Sequence, residues 1–151
     1  MNSKDWAKNE FGIVDLGDER LNQRLMKISQ SFLDSPESPI NKACADWGET
    51  KAAYRFFNND SVNYQDIIQA HAKMTVARSK QEDVILAIQD TTYYNYTSHP
   101  ETKGLCMHTT LGITPEGLPL GILDQEIFSR KELSTEKIAL KKKTHNIAPA
   151  D

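Results

Sequence analysis

The 151-residue sequence has little cysteine, no long apolar run and no excess of positive charge. Two cysteines, Cys44 and Cys106, exclude a disulfide-rich scaffold and fit a reducing, cytoplasmic setting. Neither sits in a CxxC or Cys/His spacing, which argues against zinc. No stretch approaches the ~20 apolar residues that cross a bilayer, so a membrane partner is not expected. Residues 1–11 carry Lys4, Asp5, Lys8 and Glu10 and no apolar core segment, which is unlike a signal peptide. A Gly-rich phosphate loop is also missing, against a nucleotide enzyme. Internal repeats, low-complexity tracts and Gly/Ser linkers are absent. The net charge of −3 lacks the broad basic coat of many nucleic-acid binders. Composition alone therefore disfavours DNA binding.

What is present is ordinary globular material: 26% charged and 38% hydrophobic residues, in a length that suits one domain or two small ones. The charge is uneven. Residues 1–80 hold 11 Lys/Arg and 11 Asp/Glu, whereas residues 81–151 hold 7 and 10. Lys141, Lys142 and Lys143 form the one basic run and read as a solvated face.

The first half has a helical period. Leu21, Leu25, Ile28, Phe32 and Leu33 share one face, with Arg20, Arg24 and Lys27 toward the other. Asp18 is the expected N-cap, and Ser35-Pro36 and Ser38-Pro39 end the helix. Asp46-Trp47-Gly48-Glu49 has capping-box spacing and predicts a second helix through Ala52, Ala53, Arg55 and Phe56. Asn63 is the expected cap of a third, with Ile67, Ala70, His71 and Met74 buried. Three helices with short connections predict a compact helical module.

The second half changes period. Val84 to Ile88 is a continuous apolar run, as in a strand covered on both faces, ending at Gln89-Asp90-Thr91-Thr92. Residues 105–113 alternate, Thr114-Pro115-Glu116-Gly117 is a turn, and residues 118–128 read as the returning strand. The expectation is a three-stranded antiparallel meander, the opening of a larger domain. Residues 134–143 are weakly helical by pattern, and the last eight read as disordered.

Asp90 is the carboxylate of most chemical interest. At the end of an apolar strand it can hold a hard divalent cation, or simply cap a loop with Thr91 and Thr92. Asp124 and Glu126 share a strand face and read as solvent-facing. His71 reads as a packed core histidine, and His108 as either sheet packing or catalysis. Tyr93, Tyr94 and Tyr96 either cover the sheet or meet nucleic acid.

Five ordered segments now form a pattern: Leu16-Gly17-Asp18 with Arg20-Leu21 and Arg24-Leu25; Ala53-Tyr54-Arg55-Phe56; Ile88-Gln89-Asp90-Thr91-Thr92; His108-Thr109-Thr110-Leu111; and Gly117-Leu118-Pro119-Leu120-Gly121. In this order they resemble the N-terminal third of the bacterial cut-and-paste insertion-sequence transposases, the family that includes the transposase of transposon five. The resemblance runs from about Trp6 to Arg130. It implies an α+β chain: a helical DNA-binding domain over residues 1–80, the first three antiparallel strands of an incomplete RNase H-like core over 81–130, and a polar tail over 131–151. It implies contact of Arg20, Arg24, Lys51, Tyr54 and Arg55 with double-stranded DNA at transposon ends. It makes Asp90 the first carboxylate of an Asp-Asp-Glu triad that holds magnesium or manganese in the intact enzyme.

The family's second Asp and its Glu have no counterpart in this sequence. The expectation is thus a transposase fragment, partnered by full-length transposase or a downstream-encoded second half, whose metal site is incomplete. The alternative is a non-catalytic DNA-binding or inhibitory protein derived from a transposase.

Overall fold

A computed structural model describes residues 2–95 and 104–129. Two compact units are present, Met1–Asp83 and Val84–Asp151. The predicted tail over 131–151, Tyr96, Arg130 and the lysine run lie outside the described residues.

The first unit contains five helices: α1 (Ser3–Phe11), α2 (Glu19–Asp34), α3 (Ile40–Ala43), α4 (Trp47–Phe57) and α5 (Tyr64–Ser79). The three predicted helices are α2, α4 and α5. Each begins at its expected cap: Asp18 Oδ1 accepts from the Arg20 amide at 2.9 Å, Asp46 Oδ1 from Glu49 at 2.8 Å, and Asn63 Oδ1 from Gln65 at 3.0 Å. These carboxylate and amide oxygens satisfy amides that have no partner within the helix. Gly17, at φ 75°, takes the left-handed turn that delivers the chain to Asp18.

The sequence reading missed α1 and α3. Helix α1 buries Ala7 and Glu10, so half of its inward pair is a carboxylate and no apolar stripe shows. Helix α3 is a single turn opened by Pro39, too short to display a period. The core gathers Val14, Leu16, Leu25, Ile28, Cys44, Ala53, Phe56 and Ala70, flanked by Phe11, Leu21, Phe32, Ile40, Val62 and Ile67. Each large side chain buried here contributes ~1.5–3 kcal/mol of transfer free energy.

A partly buried ionic cluster around Glu10 ties α1 to α5. Arg78 of α5 donates to both oxygens of Glu10, at 2.7 and 2.9 Å, and also to Thr75 Oγ1 at 3.2 Å. His71 Nδ1 lies 2.6 Å from Glu10 Oε1, and so carries the proton of that hydrogen bond. His71 is thus a packed histidine, as its place on the buried stripe predicts. Burial pushes its pKa down, Glu10 opposes that shift, and Arg78 adds to it. The bidentate Arg78 already neutralises Glu10, which leaves burial as the stronger influence on His71.

The second unit is an antiparallel sheet in the order β1-β2-β3, with β1 at Leu86–Tyr94, β2 at Leu105–Ile113 and β3 at Pro119–Ser129. The predicted meander is therefore present. The β2–β3 turn closes with the Gly117 amide donating to Thr114 O at 2.9 Å, and Gly117 has φ 90°. Two expectations for β1 need correction. The strand does not stop at Asp90 but runs to Tyr94, because β-branched Thr91 and Thr92 and aromatic Tyr93 and Tyr94 suit a pleated ladder. Nor is its apolar run covered on both faces: Leu86 is 45% and Ile88 48% exposed.

Candidate nucleic-acid interface

Helix α4 is built to present one face. Asp46, in extended conformation, caps it, and Thr50 Oγ1 donates back to Asp46 O at 2.9 Å. Thr50, Ala53 and Phe56 turn inward at three-residue intervals and are buried. At about 100° per residue, Trp47, Lys51, Tyr54, Arg55 and Asn58 then fall within an arc of roughly 100° on the opposite side of the helix. All five are exposed, Trp47 by 75% and Tyr54 by 53%.

Lys51 and Arg55 stand four residues apart with no carboxylate partner among the described residues. Like charges at this spacing weaken a helix by a few tenths of a kcal/mol. Their retention beside two exposed aromatic rings makes a surface suited to a polyanion: cations for phosphates, ring faces and edges for sugars and bases. Trp47 escaped the sequence reading, where it counted only as part of a capping box. The signal was available: a cap at Asp46 fixes Trp47 as the first helical residue, in phase with Lys51, Tyr54 and Arg55.

The arginines of α2 are placed differently. Arg24 Nη1 meets Glu49 Oε2 at 2.5 Å, and Lys27 Nζ meets Glu49 Oε1 at 2.7 Å, joining α2 to α4. The Lys27 hydrogen bond above all, with the charge of Arg24, holds the Glu49 carboxyl below its ordinary range, against the opposing pull of burial. Arg20 grips its own cap residue: Nη2 lies 2.8 Å from Asp18 Oδ2, and its side chain is 89% exposed. That hydrogen bond lowers the pKa of Asp18 and raises that of Arg20. The expected DNA-contact residues therefore divide into three held by α4 and two, Arg20 and Arg24, engaged by acids of the same unit.

In the sheet, Asp90 lies at the middle of β1, in register with Thr109 of β2 and through it Gln125 of β3. Gln125 Nε2 donates to Thr109 Oγ1 at 3.2 Å. Asp90 shares its face with Leu86 and Ile88, as strand alternation requires. On the opposite face, Thr91 Oγ1 and His108 Nδ1 are 2.8 Å apart, a cross-strand pair. Asp124 and Glu126 are exposed. Among the described residues no three His, Cys, Asp or Glu side chains group as a metal site. A magnesium or manganese pair needs several carboxylate oxygens. The described residues around Asp90 offer no such set, and no chemical step is drawn from Asp90 alone. No described helix is long and apolar enough to cross a membrane.

Both cysteines are free thiols and buried. A family model described as transposase DNA-binding matches residues 3–62, a span that takes in α1 to α4 and every basic and aromatic residue of the interface just described, and it is to this kind of domain that the helical unit is similar.

Proposed function

We propose that this chain binds double-stranded DNA through the outward face of α4, as the end-recognition part of a cut-and-paste transposase. The observation that carries the reading is the exposed stripe of Trp47, Lys51, Tyr54 and Arg55, free of acidic partners among the described residues, inside the segment similar to transposase DNA-binding domains. The mild acidity of the whole chain does not oppose it. A helix that enters a groove needs a few well-placed cations rather than a basic coat, and Arg suits both phosphate and guanine.

In this reading the sheet is the start of an RNase H-like core, and Asp90 is the first carboxylate of an Asp-Asp-Glu triad for magnesium or manganese. The other two carboxylates come from residues outside this sequence. The ordered motifs around Asp90 and Gly117 support that assignment. A second reading, which rests on the α4 face alone, is a DNA-binding protein that occupies transposon ends without cutting them.

The experiment is fluorescence anisotropy of the full chain on labelled duplex, with transposon-end DNA from the flanks of the gene against a scrambled duplex. Salt-sensitive binding that favours the end sequence and weakens in Arg55→Ala supports the proposal. Binding indifferent to salt, or unchanged by Arg55→Ala, refutes it. A nicking assay with magnesium separates the two readings. Cleavage on addition of a chain carrying the missing carboxylates supports the enzyme, and inhibition of full-length transposase supports the end-occupying protein.

A further inference from the structure

The pairing of Arg24 and Lys27 with Glu49 points beyond a stabilising contact. One carboxylate engages two cations that lie three residues apart on α2, and it projects from the first turn of α4, the helix that carries the exposed stripe. The cluster is not sealed: Glu49 keeps 25% of its side-chain surface exposed, Arg24 30% and Lys27 57%. A carboxylate and a phosphate seek the same donors in the same geometry. Two cations already satisfied by Glu49 are thus withheld from a phosphate backbone until that carboxylate lets go.

We propose that Glu49 is an affinity-limiting clasp: it competes with DNA phosphate for Arg24 and Lys27 and keeps binding weak until the duplex draws those cations away from it. This rests on the DNA-binding reading above. The clasp also gives a role to the pairing of Arg24 and Lys27 on α2, where Lys51 and Arg55 of α4 meet no carboxylate among the described residues. Three other ionisable groups bear on the exchange: Asp46 caps the same helix turn, Asp18 holds Arg20, and Glu19 lies in the first turn of α2. None of the three bonds to Arg24 or Lys27.

The test is Glu49→Gln in the full chain, read by anisotropy on a mixed-sequence duplex across about 50 to 200 mM salt. The variant keeps the shape of the side chain and removes its charge. The wild type reaches phosphate with Arg24 and Lys27 only by giving up the Glu49 pairs, whereas the variant has no such pairs to give up, so it binds roughly tenfold more tightly while the slope of log affinity against log salt stays close to that of the wild type. Unchanged or weaker binding overturns the clasp. Should the variant lose its cooperative melt, the wild type decides: with lysines reductively methylated, the Lys27 methyl NMR signal (assigned with Lys27→Arg) shifts on adding duplex if it exchanges partners. A Lys27 signal that stays fixed while that of Lys51 moves overturns the clasp and spares the DNA-binding reading. Signals of both that stay fixed, with no salt-sensitive binding by either protein, overturn both.

Discussion

The outward face of α4 makes a quantitative demand on binding. Lys51 and Arg55 are exposed cations without carboxylate partners among the described residues, so each is free to neutralise one phosphate. Replacing both with Gln removes two charges and leaves the buried Thr50, Ala53 and Phe56 untouched. Counterion release attaches a slope of ~0.9 per phosphate to log affinity against log salt. Two lost contacts therefore flatten the slope by about 1.8. At about 0.15 M salt each contact is worth ~0.7 decades by that slope, so the double variant binds roughly thirtyfold more weakly. Stability moves the other way, if at all, since a repulsive pair four residues apart is relieved by a few tenths of a kcal/mol. Anisotropy over a salt series reads the first quantity, and a thermal melt reads the second. A double variant whose slope equals that of the wild type, at equal stability, refutes the assignment of the α4 face to phosphate contact.

Three further outcomes are expected. Trp47→Ala, at a site 75% exposed, leaves the melting curve within about 0.5 kcal/mol of wild type yet weakens duplex binding, and wild-type tryptophan fluorescence changes on adding DNA; equal binding by the variant excludes the ring from the interface. Arg78→Met removes the bidentate partner of the Glu10 carboxylate, which is 3% exposed, and costs ~1–3 kcal/mol by denaturant titration, less than a fully buried pair because Arg78 is 37% exposed and His71 still donates to Glu10; no measurable loss shows that Glu10 finds water or a proton instead. The lowered pKa of His71 sets the sign of a pH effect. The unfolded chain takes the proton first, so the contribution of neutral His71 is fully present above an ordinary value of 6.5 and is lost as pH falls toward the folded pKa. Melts between pH 7 and 5 follow that loss, and His71→Gln shallows the dependence; an equal dependence in the variant assigns it to other groups.

Much of the fold was legible because it is written locally. Asp18, Asp46 and Asn63 announce three helices by cap chemistry, and Gly117 in its turn announces the β2–β3 hairpin. What was hidden depends on partners distant in sequence. Glu10 looks like surface until Arg78, 68 residues away, is seen beside it. Arg24 and Lys27 look free until Glu49, 25 and 22 residues on, takes both. The end of β1 was misplaced because Thr91 to Tyr94 suit a loop and a strand equally in isolation, and pairing with Leu105–His108 decides between them. Asp90 stands out in the sequence by its motif alone, and its setting at mid-strand comes only from that same pairing.

The tie between Glu10 and Arg78 also bears on how the protein is made. The ribosome releases α1 first, yet the cation that neutralises its buried carboxylate is among the last residues of the helical unit to emerge. Until α5 is out, α1 has a charged group facing a core it cannot enter. The segment similar to transposase DNA-binding domains stops at residue 62, before α5 begins at Tyr64. The stretch proposed to meet DNA and the stretch that must be synthesised before it can hold its shape are therefore different lengths, and a chain cut at the boundary of the similarity would carry the whole α4 face on a module still missing its closing strut.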